Sequence, residues 1–247
     1  MCYNYEALVR RGIKRAIREQ GQDAVLSTLT EAEKRIWERK EEKLFSNAGA
    51  AAITENETEA RSTFPGAETV VIPITTKQKE YYLFGFLPDW AKSLSDKNRN
   101  FNARTDSLRV KPTWKNAWNK KQHCLVCAKG FYETDRATKK RYFFSVKEKG
   151  EIYFAGIFNH WADKTTGEIF RTFAIITTQP NELVGPIHNR MPVILTGKEA
   201  DTWLDENLSE QEAFDLLQSF PAENMEMMAA PKPPRKKQST ELDLPFD

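Results

Sequence analysis

The chain has 247 residues, 40% of them hydrophobic and 11% aromatic, enough for a substantial buried core and too rich in large side chains for a disordered protein. No apolar run approaches the roughly 18–20 residues that span a bilayer, and three Cys make no disulfide framework, so no membrane association and a reducing cytoplasm are expected. The net charge of +2 hides a segregation: residues 97–121 carry eight Lys or Arg against the single acid Asp106, whereas residues 199–226 carry nine acids and no base.

The opening MCYNYEALVRRGIKRAIREQ has charge but no continuous hydrophobic segment, so no secretory signal is expected. Residues 6–19 and 31–45 read as amphipathic helices. ETVVIPI (68–74) and YYLFGFL (81–87) read as strands, and 89–100 as a polar loop. KPTWKNAWNKK (111–121) reads as a helix, with Pro112 suited to the first turn and Trp114 and Trp118 on one face. HCLVCA (123–128), RYFFSV (141–146), EIYFAGIF (151–158) and FRTFAIITT (170–178) are further strands, with turns at Lys129–Gly130, Glu148–Gly150 and Asp163–Gly167. Residues 198–219 return to helix. Strands in the middle and helices towards the ends predict an α+β fold: a single compact domain, residues 1–228, around a mostly antiparallel, barrel-like sheet with flanking helices. The Pro- and Lys-rich composition of 229–247 predicts a flexible tail.

Several side chains carry candidate chemistry. Cys2 follows the initiator Met1 directly, and removal of Met1 would leave an α-amine and a thiol on adjacent carbons. With reference pKa values of about 7.7–8 and 8.5, both are partly nucleophilic near neutrality. Such a 1,2-aminothiol condenses with an aldehyde and closes to a thiazolidine. Cys124 and Cys127 form a CxxC, but on a strand these positions face opposite ways, and the remaining Cys2, His123, His160 and His188 show no paired ligand spacing. A core role is expected for the pair, with no metal and no organic cofactor. GFYE (130–133) ends a strand on Glu133, IHNRMPVIL (187–195) sets His188 and Arg190 before an apolar strand, and FNARTDSL (101–108) carries Asn102 and Arg104 into the basic region. Phe101, Trp114 and Trp118 among the cations suit a polyanion with stackable rings; the competing reading is a solvated face balanced by acids elsewhere.

Taken in order, Cys2, FGFLPDWAK (84–92), FNARTDSL, CLVCAKGFYE, YFAGIF and IHNRMPVIL closely resemble the SOS-response-associated peptidase (SRAP) family, from Cys2 to about residue 220. Phe84 stands where many members have Trp, Asp106 where Glu is usual, and Asn189 where Asp is often found. The resemblance implies a β-rich fold that binds single-stranded DNA and joins Cys2 covalently to the aldehyde of an abasic site. It implies a catalytic set of Cys2, Asn102, Glu133 and His188, and DNA contacts from Arg104, Trp90, Trp114, Lys111, Lys115 and Arg190. A monomer in the cytoplasm, at the nucleoid, is the corresponding expectation. Two other readings stay open: a cysteine-dependent peptidase, including self-cleavage at Met1, and a non-catalytic single-strand-binding protein. The closing LDLPFD (242–247) resembles the acidic tip of bacterial single-strand-binding proteins, although Asp247 follows Phe246. That likeness implies docking to replication or repair proteins through the tail.

Overall fold

In the computed structural model, which describes residues 5–10, 58–63, 67–94, 96, 100–147 and 152–231, the strands expected through the middle of the chain are all present. Their order is β1 (Tyr5–Arg10), β2 (Thr58–Thr63), β3 (Glu68–Pro73), β4 (Glu80–Phe84), β5 (Asn102–Arg104), helix α1 (Pro112–Asn119), β6 (His123–Thr134), β7 (Arg141–Val146), β8 (Ile152–Ala162) and β9 (Ile169–Thr178). There follow β10 (Met191–Pro192), β11 (Ile194–Leu195), α2 (Gly197–Trp203), α3 (Glu210–Asp215) and β12 (Met225–Ala230). Chain contacts group Met1–Arg10 with Ala52–Ala230 into one compact unit, to which all these elements belong, and Arg11–Ala51 with Pro231–Asp247 into another.

Five strands close a ring in the order β8–β9–β4–β3–β6 and back to β8. Every contact in it is antiparallel except β4–β9, which is parallel. The α+β, barrel-like and mostly antiparallel architecture read from the sequence is therefore the one observed. Closing the ring removes the sheet edges and gives a core lined by facing side chains. Phe84 and Phe173 stack there at 5.3 Å between ring centroids, and Phe131 and Phe144 at 5.1 Å. All four are fully buried, each worth roughly 1.5–3 kcal/mol in apolar burial. Cys124 and Cys127 are unbridged and buried in this core, and burial pushes the Cys124 thiol well above its ordinary value.

β6 does more than one strand's share. Residues 123–128 pair with β8, and residues 131–134 pair with β7, while β1 runs antiparallel alongside Ala128, Gly130 and Phe131. Glu6 faces Gly130 but Ala7 faces Ala128, so Lys129 is an extra residue, a β-bulge rather than the expected turn. Gly130 next to it has φ +157, and a Cβ there would run into the Phe144 carbonyl and lie 2.5 Å from Phe143 Cζ.

Two other expectations change. Tyr5–Arg10 is a strand, not the start of a helix over 6–19, because β6 offers these residues a free edge and pairing outweighs a charge-rich local preference. The rest of that helix and the one expected over 31–45 lie outside the described residues. The helix expected over 198–219 is two short ones, and α3 starts where the Ser209 hydroxyl accepts the Glu212 N–H while Glu212 accepts the Ser209 N–H. Residues 229 and 230 belong to β12, and 232–247 lie outside the described residues. No helix among the described residues is long and apolar enough to cross a membrane.

Candidate functional site

Strand alternation and the bulge together place Glu133. Ala128 and Gly130 oppose successive residues of β1, so they face opposite sides; Phe131 and Glu133 then fall on the side of Cys124, Val126 and Ala128. The Glu133 carboxylate is accordingly buried, at 6% exposure. Its neighbour arrives from the segment between β9 and β10. Asn181 Oδ1 accepts the Val184 N–H at 3.0 Å, Val184 is fully buried, and its carbonyl accepts the N–H groups of Ile187 and His188 at 2.9 Å. This tight wind delivers His188 with Nδ1 3.8 Å from Glu133 Oε1 and a side chain 3% exposed. That separation is too long for a hydrogen bond and short enough for an ion pair once the ring is protonated. His188 Nδ1 also lies 3.0 Å from the Arg190 carbonyl and 3.2 Å from the Arg190 N–H.

The contacts continue outward. Arg190, itself buried, donates from Nη2 to the Thr177 carbonyl at 3.2 Å and brings Nη1 to 3.7 Å from Asp106. Asp106 takes the Arg104 fork, Nη2 at 2.6 Å and Nε at 3.2 Å. The hydrogen bond from Arg104, then the charge of Arg190, hold the Asp106 carboxyl below its usual range, and the same pairing raises Arg104. One chain of contacts thus runs from Glu133 through His188, Arg190 and Asp106 to Arg104. Asp106 entered the sequence reading as a lone acid standing where the family usually has Glu, with no role assigned; the Arg–x–Asp spacing at the end of a strand was the signal for one.

Asn102 lies two residues before Arg104 on β5, which pairs in parallel with Ile175–Thr177 of β9. Both polar atoms of its amide are buried and have no hydrogen-bond partner among the described residues. Cys2 lies outside the described residues. No group of His, Cys, Asp and Glu among the described residues could hold a metal ion.

The expected DNA contacts divide. Trp114 is 2% exposed and packs edge-on against Phe86 at 5.2 Å, so it belongs to the core and offers no stacking face; this corrects the expectation. The apolar side of an amphipathic helix looks the same in sequence whether it meets a base or a barrel. Trp118 is likewise buried, donating to Glu210 at 3.0 Å. Trp90 is 59% exposed and borders a cleft of ≈ 280 Å³ with Pro112, Asn116 and Asn159. Lys111, which caps the start of α1, and Lys115 on the helix are both exposed. Other cations of the basic stretch meet acids instead: Arg109 pairs with Glu210 at 3.2 Å and lies 4.1 Å over the Phe214 ring, and Lys120 approaches Asp89 at 3.8 Å. The basic and acidic segments are in part each other's counterions.

The chain matches the SOS response associated peptidase (SRAP) family over residues 28–232. It belongs to that family. Among SRAP-related proteins, the abasic site processing protein YoqW of Bacillus subtilis is 36% identical over 147 residues, 58% of this chain and 65% of that one. The abasic site processing protein HMCES of Gallus gallus is 34% identical over 167 residues, 58% of this chain and 49% of that one. The match thus spans less than two thirds of either relative. A crystal structure of a Bacteroides thetaiotaomicron protein, 27% identical, superposes with a TM-score of 0.67 over 92% of this chain and 91% of that one. A Bordetella bronchiseptica protein, 19% identical, shares the SRAP fold at a TM-score of 0.65 over 94% of this chain and 100% of that one.

Proposed function

We propose that this chain processes abasic sites in DNA, joining Cys2, bared by loss of Met1, to the sugar aldehyde of an abasic site in a single strand as a thiazolidine. The observation that carries the reading is the buried Glu133–His188 pair at the end of β6, the strand on which Tyr5 is paired. Tyr5, the first described residue of β1, pairs antiparallel with Phe131, two residues before Glu133 along β6. Cys2 lies three residue steps before Tyr5, a reach of at most about 11 Å, against about 7 Å from Phe131 to Glu133 along β6. The names of the relatives support the substrate class. Asn102 adds support: a buried amide without a partner costs about 1–3 kcal/mol, which an incoming amine would offset.

The chemistry balances on these groups. The Cys2 amine adds to the aldehyde carbon of the opened sugar, and the resulting carbinolamine loses water to give an imine. The thiol then adds across the C=N bond, its proton passing to nitrogen, so that aldehyde and aminothiol become a thiazolidine and one water. Glu133 takes the proton from the attacking amine and returns it to the departing hydroxyl, a service typically worth about 10²–10⁴ in rate. His188, with Nδ1 committed to the Arg190 backbone, serves the sugar hydroxyl through Nε2. Asn102 orients the amine without adding charge, and Arg104 grips a flanking phosphate with its fork. Ring closure by sulfur removes the imine that would otherwise invite β-elimination, so the strand stays whole.

Intact mass tests this directly. The full chain incubated with a single strand bearing one abasic site should gain the mass of that strand less one water. Cys2→Ala should abolish the heat-stable adduct while keeping most of the reversible affinity. A heat-stable adduct of equal yield in Cys2→Ala would overturn the reading.

A further inference from the structure

Arg104 is the exposed end of the contact chain that starts at Glu133, and its guanidinium is already taken. Asp106 holds it by two nitrogens, at 2.6 and 3.2 Å. The same carboxylate lies 3.7 Å from Nη1 of Arg190. The two arginines differ in what they can release. Arg190 is 7% exposed and tied by Nη2 to the Thr177 carbonyl. The Arg104 and Asp106 side chains are 58% and 49% exposed. Their backbones are fixed relative to each other, since the Ser107 hydroxyl donates to the Arg104 carbonyl at 3.0 Å across the short turn Thr105–Ser107. A two-pronged arginine–carboxylate pair has the same planar geometry as arginine on a phosphate. Such a pair is firmer than an ordinary surface ion pair, but its exposure to water leaves it open to exchange with another two-pronged anion.

We infer that Asp106 is a stand-in for a DNA phosphate: it holds the Arg104 fork in the free protein, and a bound strand takes Arg104 by exchanging a phosphate for this carboxylate. The inference rests on the proposed reading that Arg104 grips a strand. No covalent bond changes; one ion pair replaces another, and Asp106 remains beside Arg190. The exchange has two effects. Arg104 waits with its fork already shaped for two-pronged contact, so less side-chain freedom is lost on binding. The carboxylate set free must also gather a cation of its own, which cancels much of the counterion release that the new phosphate contact brings. Reversible grip on undamaged strands is thereby held down, and retention falls to the covalent step, a device that works against the wrong partner.

Asp106→Asn keeps the shape and removes the charge. Binding of the full-length variant to a short oligothymidine without abasic sites should be about 5-fold tighter at low salt. Its log–log salt slope should steepen by about 0.7, one further counterion released per single-strand contact. Most of that gain should disappear when Asp106→Asn is made on top of Arg104→Gln, and Asp106→Glu should leave the slope as it was. Weaker binding by Asp106→Asn at an unchanged slope would overturn the proposal and make Asp106 a scaffold for Arg104. An Arg104→Gln variant with undiminished affinity and unaltered slope would instead remove the strand-binding reading, and the exchange with it.

Discussion

The three histidines have three different environments, and the one proposed to move protons, His188, is the one beside the buried Glu133 carboxylate. His123 lies flat on Trp203, 4.2 Å between centroids and 12° between planes, with Trp118 tilted beside it at 5.2 Å. The Trp203 backbone comes near, but neither ring nitrogen makes a hydrogen bond of good geometry among the described residues. Burial, with a smaller push from Lys121, lowers His123 to about 4. His160 meets the Tyr82 hydroxyl at 2.9 Å, and burial lowers its pKa too. An unfolded histidine takes its proton near 6.5. Between about pH 6.5 and 4 the unfolded chain therefore binds a proton at His123 that the folded chain refuses. This contribution is complete above pH 6.5 and is lost as the pH falls towards 4, by on the order of 3 kcal/mol. Urea midpoints of the wild type and of His123→Phe, taken at about pH 7.5 and about pH 4.5, should show the variant losing less stability on acidification. Equal losses would mean that His123 is not the buried neutral base. In sequence, position 188 stood out from 123 and 160 through motif resemblance alone, because the wound segment that delivers it has no periodicity to read.

At the scale of elements, the bulge in β6 sets the face of Glu133. Deleting Lys129 would remove the extra residue yet leave Ala128 and Gly130 on opposite faces, so Glu133 would stay on the core side. An alanine inserted between Phe131 and Tyr132 would instead turn Glu133 outwards and bring Tyr132 to the core side. The insertion variant should still melt cooperatively but form the abasic-site adduct about 10²-fold more slowly in single turnover, while the deletion variant should keep its rate. An unchanged rate in a folded insertion variant would show that Glu133 does not act from that face. Strands with β-branched or aromatic runs, such as RYFFSV and FRTFAIITT, were legible because their composition and their environment agree. YEALVR and MEMMAA were not. Glu, Ala, Leu and Met favour helix locally, and β1 and β12 are strands only because β6 and β7 offer them partners. The bulge was invisible for a related reason: Lys–Gly between two runs is the composition of a turn, and only the register with Glu6 and Ala7 distinguishes the two.

For the whole molecule, the fold class was legible and the closure was not. Strand content and spacing gave a barrel-like sheet, but the single parallel contact between β4 and β9 that closes the ring depends on a crossover no local pattern encodes. The same long-range pairing fixes when the molecule becomes competent. β1 is made first, yet its partner β6 follows only after half the chain, and His188 later still. During synthesis the aminothiol would therefore exist well before the groups proposed to move its protons. Removal of Met1 need not wait for them, so Glu133→Gln chains purified from cells should already lack Met1 while forming the adduct about 10²-fold more slowly. Met1 retained in that variant alone would point to self-cleavage by the finished site. A fragment cut short before β6, or a chain that fails to fold, would carry the reactive end without its proton shuttle. Completion of the fold is then what arms the chain, and truncated products should be poor at fastening themselves to damaged DNA.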